Sequence, residues 1–458
     1  MLVLKFGGTS LADSESIGRA CRITCDRAEG GALVVVSAMG RTTDLLSMCA
    51  EDEPDSARNR LEELRDHALA TGAGLLDRAS FDELAAATDR ILGDASTLLG
   101  RLLKRGDIPP TSAGLDALLA CGERLSSWVV AMALRGRGLD AVRLDSRELF
   151  VTESRHGGAA ANVEFTKDRL RSAALPLLRA GRVPVLGGFI ARDAKGAATT
   201  LGRGGSDYSA ALAGAALGAS EVQIWTDVDG VMTADPSLIA SARRLPVLSL
   251  DEASELAYFG GRVLHPSTML PAIRHGIPIR VLNSLRPSGR GTLIVPEAPR
   301  STRVVKSVVY KEDITLIDIH STRMLMAHGF LARIFAVFER HETAVDMVST
   351  SEVSVSLTVD RTERVPVILR DLESFSHAEA TEGKAIVCVV GEGIRYTPGI
   401  AAKVFAALEG IRIRMISLGA SRVNVGFVVD EGDLEGCVRR LHSTFFEQPA
   451  SSEGETRE

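Results

Sequence analysis

The chain has no surplus of positive charge: 53 Lys and Arg stand against 59 Asp and Glu, a formal net charge of −6. That balance gives no support to a nucleic-acid binder, which needs a basic face for phosphates. No apolar run reaches the roughly 20 residues that cross a bilayer as a helix. The N-terminus enters an apolar strand at once, Leu2 to Phe6, with no basic segment or cleavage site, so no signal peptide is expected. Cysteine is scarce and scattered: Cys21, Cys25, Cys49, Cys121, Cys388 and Cys437, none of them in CxxC spacing. Cys21 and Cys25 have helical i,i+4 spacing, and the set reads as reduced structural thiols of a cytoplasmic protein, not a metal site. Two phosphate-loop signatures are also missing. No GK[ST] follows a glycine run, so Walker A is absent. The nearest dinucleotide-like string, VVGEGIRYTPG, lacks its third glycine at the needed spacing, which removes most of the case for a Rossmann dehydrogenase.

What is present is ordinary soluble material: 458 residues, 45% apolar and 24% charged, enough for two to four domains with real cores. Residues 1–50 read strand, loop, helix, strand. The second strand, Ala32 to Ala38, is wholly apolar, as in a parallel sheet buried on both faces. Residues 52–138 carry Leu, Ala, Arg and Glu at three-to-four spacing and read as helices. From 139 to 295 strands and helices alternate again through DAVRLDS, VPVLGGFI, VQIWTDV and PIRVLNS, which predicts an α/β layered domain with a mainly parallel sheet. Polar PEAPRST, Pro296 to Thr302, reads as a linker, and the closing SSEGETRE as a disordered tail.

The C-terminal third repeats itself. Gly329 to Asp360 aligns without a gap on Gly399 to Asp430 at an offset of 70, matching Gly329/Gly399, Phe335/Phe405, Ser351/Ser421 and Asp360/Asp430 among others. Each copy has a leading strand, an amphipathic helix and two alternating strands. Two βαββ units of this size suggest paired small-molecule sensors; a duplicated structural module without a ligand remains the alternative.

Three segments carry chemistry. In LKFGGTS, Lys5 ends a strand and Gly7 and Gly8 follow, which suits half of a phosphate cradle as well as a plain strand-to-helix turn. In TTLGRGGSDYSAALAG, Gly202, Gly204 and Gly205 precede Ser206 and Asp207, either of which can cap the small-residue helix that follows; the N-terminus of such a helix suits an anion. In IWTDVDGVMTADPS, an apolar strand runs into Thr226 and Asp227, where ligands sit in open α/β sheets, although an acidic turn reads the same way. Two smaller pieces are CGERLSS, with Glu123 beside Gly122 at the start of an apparent helix, and SAMGRTTDLL, with Ser37 and Thr43 just after the second strand.

Together these segments resemble the aspartate kinase family within the amino acid kinase superfamily. The resemblance is carried in order by KFGGTS, VVVSAMGRTTDLL, GERLS, GGFI, TTLGRGGSDYSAA, WTDVDG, ADP, VLHP and TSEVSVSLT. It implies an amino acid kinase-like three-layer sandwich over residues 1–296, a linker at 297–312, two ferredoxin-like ACT domains at 313–380 and 381–448, and a disordered tail at 449–458. LHSTFFE resembles the end of the monofunctional, lysine-sensitive type, with no fused homoserine dehydrogenase. The implied reaction is phosphorylation of the β-carboxylate of L-aspartate by Mg-ATP in the cytoplasm. Lys5 and Asp207 would be catalytic, with Lys5 neutralising charge on the transferred phosphoryl group and Asp207 ordering Lys5. Ser37, Thr43, Glu123, Arg203 and Ser206 would bind the substrate, Arg203 as a fork on its α-carboxylate and Glu123 on its ammonium. Lys5, Gly7, Gly8, Gly204, Gly205, Thr226, Asp227, Met232 and Arg262 would seat the nucleotide. No protein-ligated metal is implied, because Mg²⁺ would ride on ATP oxygens and water. Three departures fall on the nucleotide side: Arg262 stands where the family more often has lysine, Met232 where a tyrosine often borders adenine, and Ser237 where an arginine often follows ADP. The resemblance also implies an amino-acid effector, with lysine favoured, held between chains of a homodimer or tetramer at Met324, Val345, Asp346, Ser351 and Glu352, with Ala327 in place of a common serine. A catalytically weak binding regulator, and a kinase acting on glutamate or a related carboxylate, are the competing functions.

Overall fold

The computed structural model describes residues 1–103, 112–260, 266–299, 303–321, 328–360 and 363–447. The chain forms two compact units. The first comprises Met1–Val231, Pro246–Leu250 and Val263–Ala298; the second comprises Met232–Leu245, Asp251–Arg262 and Pro299–Glu458.

The first unit is built on an eight-stranded sheet. Its order is Ala141–Leu144, Val183–Gly187, Ala32–Val36, Leu2–Phe6, Glu221–Thr226, Ile279–Asn283, Thr292–Val295 and Val247–Ser249. The first six strands are parallel, and Thr292–Val295 turns antiparallel to Ile279–Asn283. Side chains of a strand alternate between faces, and that alternation sorts this sheet's contents. Leu4, Phe6, Val34 and Val36 enter a core with helices Ser14–Arg27 and Ala113–Arg135, where all four are fully buried. Lys5 points the other way, and its ammonium meets Asp207 of helix Gly205–Leu217. The sheet therefore lies between helical layers, and its central strand passes one lysine to the second layer.

The helices expected over 52–138 appear among the described residues as Pro54–Ala73, Arg78–Leu103 and Ala113–Arg135, with Thr42–Glu51 preceding them. Ala113–Arg135 passes for a membrane-crossing helix on length and mean hydropathy alone, but 78% of its most apolar window is buried inside the fold. Glu123 lies in the middle of this helix and not at its start. Gly122 is no boundary signal: a Cβ there would sit 2.8 Å from Ala38 Cβ, so the glycine lets the helix close onto the end of the second strand. VPVLGGFI is two strands, Val183–Gly187 and Ile190–Asp193, and the second pairs with Ala198–Thr200 in a small separate sheet.

The second unit holds a six-stranded antiparallel sheet in the order Val348–Thr350, Ser354–Asp360, Ser307–His320, His377–Val390, Asn424–Asp430 and Ile413–Leu418. The two repeats appear in register, since Ser354–Asp360 and Asn424–Asp430 are the same strand 70 residues apart. Residues 307–312 of the expected linker are strand instead. Ser307–Lys311 pairs with Ile386–Val390 of the second repeat, while Ile314–His320 pairs with the first repeat. The second repeat thus takes its fourth strand from the chain preceding the first. Alternating apolar side chains drive this: Val308 is fully buried in the same core as Val387, Val389 and Phe427. The expected tail at 449–458 lies outside the described residues.

Candidate active site

The parallel strands end together, and their carboxyl edge opens into a cavity of about 360 Å³. Its walls include Lys5, Gly8, Ser37, Thr43, Glu123, Phe189, Arg203, Gly204, Gly205, Ser206 and Asp207. The opening lysine and the arginine near position 200 thus meet in one space, although almost 200 residues of chain separate them.

Lys5 is 8% exposed, and its Nζ lies 2.6 Å from Asp207 Oδ1. Register places it between Val35 and Ile224 of the neighbouring strands, one residue before the central strand ends. Asp207 is held on the first turn of helix Gly205–Leu217, whose N-cap is Gly204 and not Ser206 or Asp207. Gly204 has φ 70, a left-handed conformation that glycine takes without strain, so the chain can turn from Arg203 directly into the helix. The first-turn N–H groups of that helix and of the Gly8–Leu11 turn are the donors that helical bonding leaves over. Two expected donors are engaged elsewhere. Gly7 gives its N–H to the Trp225 carbonyl at 3.1 Å, and Gly205 gives its own to the Gly202 carbonyl at 2.9 Å. Gly7 closes the sheet; Gly205 closes a turn in which a Cβ would come within 2.8 Å of the Phe189 ring.

Glu123 is 3% exposed. The Ala38 N–H donates to its Oε1 at 3.1 Å, while its Oε2 is buried with no hydrogen-bond partner. Burial pushes its carboxyl up to about 8, against the pull of the Ala38 N–H and of Lys5. Arg203 lines the same cavity, and its guanidinium pairs with no other described residue. A buried carboxyl and a guanidinium, neither with an ion-pair partner among the described residues, therefore share one chamber.

Sequence reasoning missed the pieces that hold these groups in place. In GGFI, a Cβ on Gly187 would come within 2.9 Å of Glu123 Cβ, and one on Gly188 within 2.6 Å of Ser206 Cβ. Both glycines exist for close approach, which the doubled glycine after an apolar strand signals. Phe189 lines the cavity at φ 64, a region non-glycine residues seldom enter, with its N–H on Ser209 Oγ at 3.0 Å. It lies within GGFI, but the sequence gives no sign of its place in the cavity wall.

Thr226 ends the strand beside Lys5 and Asp227 follows it, at the same sheet edge but outside this cavity. Asn283 Nδ2 donates to the Asp227 carbonyl at 3.3 Å and to Asp229 Oδ1 at 2.8 Å, pinning that loop. Met232 belongs to the second unit, where it forms an isolated bridge with Arg244. Arg262 and Met324 lie outside the described residues. Of the expected effector residues, Val345 is half-buried and Glu352 exposed, and Ser351 Oγ bonds Ser354 Oγ at 2.6 Å. Asp346 is engaged at one oxygen only: its Oδ1 takes the Lys311 ammonium at 2.8 Å and the Tyr258 hydroxyl at 2.9 Å, while its Oδ2 has no hydrogen-bond partner.

A parallel α/β sheet ending in a lysine–aspartate pair, two glycine turns and a polar cavity defines a phosphoryl-transfer kinase of the amino acid type. The amino acid kinase family profile matches residues 1–283, and an ACT domain profile matches 387–445. The lysine-sensitive aspartokinase 3 of Escherichia coli is 36% identical over 98% of this chain and 99% of its own. The chloroplastic aspartokinase 1 of Arabidopsis thaliana is 35% identical over 98% of this chain and 81% of its own. Two crystal structures of E. coli aspartokinase III also match. The complex with aspartate and ADP (R-state) has a TM-score of 0.86 at 36% identity, covering 97% of this chain and 100% of that one. The complex with lysine and aspartate (T-state) has a TM-score of 0.82 at 37% identity, covering 97% and 99%. The chain belongs to the aspartokinase family.

Proposed function

We propose that the protein transfers the γ-phosphoryl group of ATP to the β-carboxylate of L-aspartate, giving ADP and 4-phospho-L-aspartate, the first step towards lysine, threonine and methionine. The observation that carries this reading is the pairing of Glu123 and Arg203 across one cavity with Lys5. An α-amino acid offers an ammonium and a carboxylate one carbon apart, and those two side chains supply the opposite charges. Fixing both ends of the α-carbon leaves the side-chain carboxylate as the only free nucleophile. A carboxylate is ionised at neutral pH, so no general base is required, and catalysis reduces to placement and charge stabilisation. Lys5 is the group that stabilises the charge, because its ammonium is held by Asp207 at the end of the central strand. There it can follow the negative charge on the phosphoryl oxygens as the bond to ADP breaks. Ser37, Thr43 and Ser206 would complete the substrate pocket, and Thr226 and Asp227 would receive the nucleotide. Mg²⁺ would come with the nucleotide, held by phosphate oxygens and water.

Residues 1–296 would be catalytic, and the ACT modules at 313–380 and 381–448 regulatory, the second completed by Ser307–Lys311. Lysine is the proposed effector, acting on a cytoplasmic homodimer or tetramer joined through the ACT domains. The support is the lysine sensitivity in the E. coli relative's name and the lysine bound in its T-state structure. A coupled ADP-release assay with L-aspartate and Mg-ATP, with the acyl phosphate trapped by hydroxylamine, tests the reaction. Lys5→Ala should lower kcat by about a thousandfold. Wild-type turnover no higher than that of the variant, or equal rates on L-glutamate, would reject the assignment.

A further inference from the structure

On the helix that carries Glu123 lies a second buried acid with no part in the scheme above. Asp116 is 1% exposed and seven residues before Glu123, two helical turns away. Its carboxylate gathers three donors from two other segments. The Thr200 hydroxyl donates to Oδ1 at 2.7 Å. The Gly157 N–H is shared between Oδ1 at 3.2 Å and Oδ2 at 3.3 Å. His156 Nδ1 lies 2.9 Å from Oδ2.

Each partner leads back to the cavity. Thr200 ends the Ala198–Thr200 strand, three residues before Arg203. Gly157 and its neighbour Gly158 form a loop pressed on the same turn: a Cβ on Gly202 would come within 3.0 Å of Gly158 Cα, and Ala159 donates its N–H to the Thr200 carbonyl at 2.8 Å. The turn that presents Arg203 is thus built from glycines at φ 71 and φ 70, Gly202 and Gly204, and has little stiffness of its own. Its position must come from outside.

We propose that Asp116 is a positioning residue that sets the span between Arg203 and Glu123, and so the fit of the substrate's α-carboxylate and α-ammonium. The inference rests on the roles proposed above for those two side chains. One helix carries Glu123 directly and fixes the base of the Arg203 turn through Asp116, so both recognition groups are referred to one rigid element. Asp116 is not part of the cavity wall. Releasing Thr200 and Gly157 lets the guanidinium drift, which weakens the hold on the α-carboxylate while leaving the lysine–aspartate pair in place.

The test is steady-state kinetics of three variants of the full chain, with melting temperatures and L-aspartate titration calorimetry alongside. Asp116→Asn keeps the shape but turns one acceptor into a donor facing donors. Thr200→Val removes the hydroxyl at nearly constant volume, and Thr200→Ser keeps it. Asp116→Asn and Thr200→Val should each raise KM for L-aspartate about tenfold, with kcat and KM for ATP within about twofold, while Thr200→Ser stays near wild type. A residue that only supports the fold would lower the melting temperature and the active fraction without that split. Should Asp116→Asn fail to fold, Thr200→Val decides alone. An unchanged KM in a folded variant, or an equal rise in KM for ATP, overturns the proposal. If wild type binds L-aspartate without turning it over, the kinase reading fails and the dissociation constants still test the positioning role; if it does not bind L-aspartate, the substrate reading falls and takes this one with it.

Discussion

Glu123 in the first unit and Asp346 in the second are both buried carboxyls with one oxygen lacking a hydrogen-bond partner, and burial pushes both above their ordinary values. Their surroundings differ. Glu123 has one backbone N–H and no ion pair, whereas Asp346 already holds the Lys311 ammonium and the Tyr258 hydroxyl. A buried acid without a counter-charge is costly and persists where a ligand brings the missing cation. A buried acid beside a resident lysine, which here also pairs with Asp360, has its counter-charge without one. Under the roles proposed above, the first unit therefore presents a cation seat awaiting its ligand, and the second a seat in which a residue of the same chain stands.

The comparison breaks most sharply at Glu123. Glu123→Gln, measured at pH 9, should raise KM for L-aspartate about a hundredfold, because it leaves the substrate ammonium buried against a neutral amide. KM for ATP should stay within about twofold, and Asp346→Asn should leave both constants near wild type when no effector is present. Similar aspartate affinities in the Gln variant and wild type would mean that the ammonium lies elsewhere.

The pH profile sharpens the same contrast with a smaller effect. With its carboxyl pushed up to about 8, Glu123 holds a proton at neutral pH in the free protein, and the substrate ammonium requires that proton to leave. KM for L-aspartate should therefore fall about tenfold from pH 7 to pH 9, and Glu123→Gln should flatten the profile. Stability runs the opposite way. Folding raises this group from the ordinary 4.5, so its protonated form favours the native state and that contribution is lost as pH climbs from 4.5 through 8. Affinity rising while thermal stability drifts down over one pH range is a paired signature that a second, unrelated group would not reproduce.

Much of this arrangement was legible in the sequence. Apolar runs ending in glycine marked the sheet edge, and KFGGTS with LGRGGSD marked the two loops that meet at Lys5 and Asp207. The repeat exposed the second unit's plan. What stayed hidden depended on contacts between distant segments. Gly122 reads as a helix boundary until Ala38 is seen against it, and Gly187 and Gly188 read as part of one strand until Glu123 and Ser206 are seen behind them. Gly7 looks like a phosphate donor until its N–H is found on Trp225. The strand Ser307–Lys311 sits in a polar, linker-like neighbourhood, and its partner arrives some 80 residues later at Ile386–Val390. Asp116 carries no motif, because its role is defined by three donors that only the fold assembles.

The smallest expected effect lies at Asp346. A lysine effector approaching this carboxylate finds Oδ1 engaged by Lys311 and only Oδ2 without a partner. The effector's ammonium must share the acid or displace the resident one, so the net gain is the difference between two similar ion pairs, not the whole of one. Asp346→Ala should accordingly raise the half-inhibitory lysine concentration about fivefold, at the low end of allosteric coupling, with kcat and KM for L-aspartate unchanged in the absence of lysine. Inhibition curves at fixed L-aspartate measure this directly. A shift of a hundredfold or more would show that Lys311 offers the effector no competition and that the two carboxyls are alike after all; no shift would remove Asp346 from the effector site.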